Sequence, residues 1–159
     1  MEGLVPAVTS AILSVMPLWT SDAEQSRAAS YAAIIVEEAQ AVSPEIDPFL
    51  MVAIIYRESS FRPNVAGKRG EIGLMQILPY GALMQTINKG VAKKDLEDAQ
   101  TNVRVGISHL LFWRSECGSE DMAVWLSAYN SGRCKKNGYG SRVMHLYCEL
   151  KPGGCEDIS

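Results

Sequence analysis

The amino-acid sequence predicts a mainly α fold: one compact helical domain, residues 1–159, packed around a buried central helix and carrying an irregular glycine-rich loop. Three observations predict it. Apolar residues recur at helical period in several segments. The stretch "FLMVAII", Phe49 to Ile55, is apolar on every side, as a helix enclosed by others must be. Gly and turn residues gather between Arg62 and Pro79. A chain of 159 residues is long enough for one hydrophobic core and too short for two comfortable ones.

Taken in order, the first eighteen residues, "MEGLVPAVTSAILSVMPL", are apolar but hold no Lys or Arg and include Glu2. A secretory signal needs a positive amino-terminal region, and a spanning helix needs about 20 apolar residues without the interruptions of Pro6 and Pro17. Segment 1–20 is therefore expected as an ordered helix packed on the domain, the alternative being a cleaved signal. "SDAEQSRAASYAAIIVEEAQAV" opens with Ser21 and Glu24 in capping-box spacing and places Ala32, Ile35, Val36 and Ala39 on one helical face. After the break at "SPEIDP", Asp47 caps the central helix with Pro48 at its first position. The loop 62–79 follows. Beyond it, "NVRVGISHLLFW" spaces Val103, Ile107, Leu110 and Leu111 as a helix, "SEDMAVWLSAYN" is expected to start from a Ser119 cap, and "SRVMHLYCEL" forms a last helix.

Charge excludes some partners. Fifteen Lys and Arg against 18 Asp and Glu give a net charge of -3, and the basic residues are scattered apart from pairs such as Lys93-Lys94 and Lys135-Lys136. Nucleic acid is not an expected partner. No other stretch is long enough to span a membrane. The four cysteines, 117, 134, 148 and 155, form no C-x-x-C pair and no zinc-like spacing with His. An even, clustered set is what an oxidising compartment produces, whereas reduced thiols would mean a cytosolic protein. Three pairings exist; Cys117 with Cys134 and Cys148 with Cys155 is expected because each closes a short local loop.

The chemistry centres on Glu58, at the end of the central helix in "YRESSFR". There the helix dipole disfavours negative charge and apolar surroundings penalise ionisation, so both raise its pKa. A carboxylic acid kept protonated near neutral pH suits proton donation to a leaving sugar oxygen. The alternative is a Glu at a solvent-exposed helix end, paired with Arg57 or Arg62.

Four motifs in order, "ESSFRPNVAGKRGEIGLMQILP", "NVRVGISHL", "AYNSG" and "YGSRV", resemble those of the lytic transglycosylases with a soluble, goose-type lysozyme-like domain; the match runs over about residues 44–147. The resemblance implies an α+β lysozyme-like superfamily fold with the Gly-rich loop beside the active-site groove. It implies Glu58 as the acid and then base, Ser59 in the turn after it, and Met75 and Gln76 lining the sugar groove. It further implies Tyr129 and Asn130 beneath the acid and Tyr139 reaching toward it. Amide and phenol groups bind hydroxyls and acetamido groups without adding charge, and Met adapts to a sugar face. Equally, Tyr129 suits a core aromatic with a satisfied hydroxyl, Met75 a core filler, and Asn130 a helix C-cap before Gly132.

The implied partner is the peptidoglycan glycan strand, cut without metal or cofactor by a monomer. The implied setting is the periplasm, a secreted location or another route to the cell wall, phage delivery included.

Two positions depart from the pattern. Many members have Ser about nine residues after the acid and a Gly-Ala pair before the G-L-M-Q strip; here those places hold Gly67 and Glu71. Glu71 either anchors the loop through Lys68 or Arg69, or organises the site and a water. The second option matters because inverting hydrolases hold two carboxyl groups roughly 6.5–9.5 Å apart. The rival readings are therefore a goose-type muramidase using Glu58 with Glu71, and a catalytically weak glycan-binding or assembly module. His109 and His145 have no nucleophile or metal partner in sequence and are expected to be structural.

Overall fold

The computed structural model describes residues 3–155. Residues 1, 2 and 156–159, the two ends of the expected domain and the start of the expected N-terminal helix, lie outside the described residues. Among the described residues seven α-helices follow in order: α1 (Leu4–Val15), α2 (Asp22–Val42), α3 (Pro48–Ser59), the single turn α4 (Pro79–Ala82), α5 (Ala99–Cys117), α6 (Met122–Ser131) and α7 (Gly138–Leu150). Two 3-10 turns, Thr86–Asn88 and Lys93–Glu97, lie between α4 and α5. The fold is mainly α. Among the described residues, β structure amounts to two isolated bridges, Ala66 to Ile72 and Ile72 to Ile77.

Apart from α1, whose N-cap is Gly3, the start of each long helix is set by a local side chain. Ser21 and Glu24 form a reciprocal capping box that satisfies two of the orphan N–H groups at the start of α2. Asp47 accepts from the Phe49 N–H at 3.0 Å at the start of α3, where Pro48 needs no donor. Its other oxygen accepts from the Tyr147 hydroxyl at 2.8 Å, which ties this helix start to α7. The cap of α6 differs from expectation. Asp121 accepts from Ala123 N–H, while Ser119 accepts only from the backbone of Asp121. Asp121 reaches the first free amide directly and also pairs with Lys136.

Residues Phe49 to Ile55 are buried on every side, from 0 to 6 % exposed. Each of these side chains other than Ala53 gains about 1.5–3 kcal/mol over leaving it in water. α3 is thus the centre around which α1, α2 and α7 pack, while α5 joins α2 to α6. α1 buries Val8 and Ile12 completely against this core. Across α2 and α5, the buried Glu38 accepts from Gln100 at 2.8 Å. Gly140 lets α7 approach α6 closely; a Cβ there would collide with the Ala123 carbonyl and the Ser127 hydroxyl. Both expected disulfides, Cys117–Cys134 and Cys148–Cys155, are formed. No helix among the described residues is long and apolar enough to cross a membrane.

Candidate active site

The carboxyl-terminal turn of α3 delivers Glu58 to a groove and then reverses sharply. Ser60 and Phe61 both adopt left-handed backbone, φ +50° and +56°, which non-glycine residues rarely do. Phe61 offsets the strain by burying its ring against Tyr31 and Trp19, with centroids 5.9 and 6.3 Å away. Ser59 is 2 % exposed and donates to the Ile55 and Leu74 carbonyls. Its hydroxyl therefore braces the strip after the loop against α3 and does not face the groove.

That strip, Ile72 to Ile77, is a tight turn closed by reciprocal backbone bonds of 2.9 Å between its ends. Asn102, on α5, clamps it: Oδ1 accepts from Met75 N–H at 2.8 Å, and Nδ2 donates to the Ile72 and Leu96 carbonyls at 2.8 and 2.9 Å. Gly73 is required here, because its φ is +78° and a Cβ would strike the Asn102 amide. Met75, expected on the groove wall, is fully buried and packs over Gly106. The clamp is the reason: it turns the Met75 backbone toward Asn102 and its side chain into the core.

Gln76 does line the groove. Its left-handed backbone, φ +47°, brings the amide nitrogen onto the Val65 and Gly73 carbonyls, each at 2.9 Å. Both amide hydrogens are thereby used, and the side chain meets a ligand only as an acceptor. Tyr129 and Asn130, from the end of α6, also line the groove, Asn130 exposed beside the left-handed Gly132 that ends the helix. The Tyr129 hydroxyl donates to the Met75 carbonyl at 2.8 Å, so it supports the strip.

Glu58 is half-buried. Its Oε1 accepts from the Tyr139 hydroxyl, 2.5 Å away. Burial pushes its pKa up, the Tyr139 bond pulls it down, Glu71 raises it and Arg69 lowers it; the result is about 7. Tyr139 itself is raised well above the usual phenol value, first by burial and then by Glu58, and so stays neutral.

Glu71 shares the groove. Its Oε1 lies 2.8 Å from Arg69 Nε and its Oε2 accepts the Arg69 backbone N–H at 2.8 Å. Burial raises its pKa, but bonds from its own backbone and from Arg69 outweigh this and hold it below the usual carboxylate value. The two departures at 67 and 71 are one feature: the Glu71 side chain folds across Gly67, and a Cβ at 67 would collide with its carboxylate.

His109, expected to be structural, and Trp113, for which the sequence suggests no site role, are spaced i and i+4 on α5 and both line the groove. That spacing on one helix face was the available signal. Trp113 Nε1 donates to His109 Nε2 at 3.2 Å, and burial lowers the imidazole pKa to about 4. His145 is exposed and lies 3.2 Å from Glu149. Among the described residues no cluster of three metal-ligating side chains occurs.

Residues 35–147 match the family described as the transglycosylase SLT domain. The chain is 35% identical over 98 residues to a membrane-bound lytic murein transglycosylase C from Actinobacillus succinogenes, covering 55% of this chain and 27% of that protein. It is 31% identical over 117 residues to the protein of the same name from Haemophilus influenzae, covering 67% and 32%. The chain spans about a quarter to a third of the length of these curated relatives. Among solved structures, the 70 kDa soluble lytic transglycosylase from Escherichia coli superposes with a TM-score of 0.66 at 20% identity, covering 92% of this chain and 29% of that one. A complex of the 70-kDa soluble lytic transglycosylase with bulgecin A gives 0.58 at 24% identity, covering 91% and 24%. These likenesses show the fold.

Proposed function

The chain belongs to the transglycosylase SLT domain family, and from that premise we propose that it cleaves the β-1,4 bond between N-acetylmuramic acid and N-acetylglucosamine in peptidoglycan without adding water. The observation that carries the reading is Glu58, whose pKa of about 7 leaves it protonated often enough to act as an acid and ionised often enough to act as a base.

Glu58 gives its proton to the bridging oxygen as the C1–O bond breaks. The substrate's own 2-acetamido carbonyl oxygen shares its electrons with C1 and holds the positive charge. The Glu58 carboxylate then takes the proton of the muramoyl 6-hydroxyl, O6 bonds to C1, and the acetamido group is released. The product ends in a 1,6-anhydro ring, and Glu58 returns to its protonated form. Tyr139 holds the carboxyl group in place throughout, and the Gln76 oxygen is free to accept from a sugar hydroxyl or acetamido N–H.

Glu71 is a second groove carboxylate, so a muramidase that activates water is the alternative. Two bonds to Arg69 and a lowered pKa favour an anchoring role for Glu71 over that of a base. A desolvated acid in turn disfavours a mere binding module, which has no need of one. Mass spectrometry of fragments released from purified peptidoglycan decides: 1,6-anhydromuramic ends are expected, and reducing ends carrying solvent oxygen would replace this reading with hydrolysis. Peptidoglycan lies outside the cytoplasmic membrane, where two disulfides are stable. We place the chain there, whether in the periplasm, secreted or phage-delivered, and take it to act as a monomer.

Tyr139→Phe tests the acid directly. The lost bond stabilised the carboxylate, so the Glu58 pKa rises further and the protonated acid persists to higher pH. The alkaline limb of kcat/KM, expected near pH 7, should move upward while the maximal rate falls. A limb that stays in place would separate Tyr139 from the acid.

A further inference from the structure

A second depression opens beside the catalytic groove and is continuous with it, sharing Gly81, His109 and Trp113. Its rim leaves large apolar side chains in water: Met84 is 76 % exposed, Ile87 68 % and Phe112 37 %. A contiguous apolar patch of this kind marks a binding surface. Its lining includes no acidic residue, Lys or Arg, and His109 is held neutral by burial.

Aromatic rings run from the catalytic groove to this shelf. Tyr129 lies 5.4 Å from His109, His109 6.1 Å from Trp113, and Trp113 5.2 Å from Phe112, centroid to centroid. The indole is held at a set angle. Its N–H can only donate, so His109 Nε2 is the acceptor and Nδ1 carries the ring proton. The 2.6 Å contact between Nδ1 and the Gln85 amide is then Nδ1–H donating to the amide oxygen, a half-turn of the amide that gives this buried oxygen a partner it otherwise lacks.

We propose that the shelf is a sugar-binding extension of the groove, with Trp113 as the platform on which the apolar face of a pyranose ring stacks as the glycan strand continues away from the cleaved bond. The inference rests on the proposed peptidoglycan activity. Charge selects the occupant. A stem peptide carries carboxylates, for which the shelf offers no cationic partner, whereas uncharged N-acetyl sugars present apolar faces and acetamido methyl groups. Continuity with the groove supplies the direction, because a strand threaded past Glu58 reaches Trp113 without leaving the surface. His109 acts through Trp113 and is a positioning residue.

Calorimetric titration of the full chain carrying Glu58→Gln, with β-1,4-linked N-acetylglucosamine dimer and hexamer as neutral probes, tests this. Trp113→Ala should weaken hexamer binding about fivefold and dimer binding by a clearly smaller factor, with Trp113→Phe keeping part of the affinity. Ile87→Ser, at an exposed position that cannot unfold the core, should weaken the hexamer by a smaller factor. Equal hexamer affinity in the parent, Trp113→Ala and Ile87→Ser would overturn the shelf and leave the proposed activity standing. A parent that binds no hexamer while the wild type digests peptidoglycan would also overturn it; if digestion fails as well, both readings fall. Loss of stem-peptide binding or of self-association in Trp113→Ala, with hexamer affinity intact, would assign the shelf to those occupants instead.

Discussion

Glu58→Gln is expected to reduce turnover of peptidoglycan by about a thousandfold or more and, above pH 7, to make the protein more stable than the wild type. The first effect follows from losing both the acid and the base with one residue, each step of general catalysis contributing about 10²–10⁴-fold. The second follows from linkage. The folded-state pKa of Glu58 is raised from 4.5 to about 7. A group raised in this way supports the fold fully below its unfolded pKa and loses that support as pH rises through the folded value. Forcing the carboxylate into its half-buried site at pH 8 therefore costs about 3 kcal/mol. Glutamine keeps the size and stays neutral, so its thermal midpoint should exceed that of the wild type at pH 8 and converge with it below pH 4.5. Retained turnover would end the catalytic assignment. Parallel stability curves at all pH values would mean that Glu58 is not desolvated in solution.

Asn102→Ala should be the most damaging substitution outside the catalytic residue itself. It takes away the partners of the Met75 N–H and the Leu96 carbonyl and one of the two donors to the Ile72 carbonyl, which keeps its bond from the Ile77 N–H, around a side chain only 1 % exposed. A buried polar group left unpaired costs about 1–3 kcal/mol, so a loss of about 3–5 kcal/mol is expected from a shift in the urea midpoint. Activity should fall as well, because Met75 lies between Asn102 and the Tyr129 hydroxyl and Gln76 follows it. Asn102→Asp keeps the acceptor but faces two carbonyl oxygens with a carboxylate, and should be no better than alanine. Hydrogen exchange at the Met75 amide gives the local readout. A cost below about 1 kcal/mol with unchanged exchange would show that the strip holds its shape without the clamp.

Local signals were legible wherever the cause is local. Ser21 with Glu24, and Asp47 with Pro48, set helix starts through bonds that span two or three residues. The all-round apolar run Phe49 to Ile55 could only be a central helix. Short disulfide loops and the placement of Glu58 at that helix's end followed in the same way. Ser119 misled because two capping residues stand two positions apart, and only backbone geometry selects Asp121.

The helical class, the buried central helix and the carboxyl group at its end are legible along the chain, because periodicity, capping and burial act between neighbours in sequence. The family resemblance added Gln76, Tyr129, Asn130 and Tyr139, and the remaining groove positions follow from contacts across the fold. Met75 turns inward and Ser59 braces the strip because Asn102, 27 residues beyond Met75, claims the Met75 amide. Gly67 and Glu71 prove to be a single feature because a side chain needs the space that a missing Cβ leaves. His109 and Trp113 face the groove because α5 packs with that side toward α6. Such contacts depend on which surfaces meet in space, and residue spacing along one chain does not encode that directly.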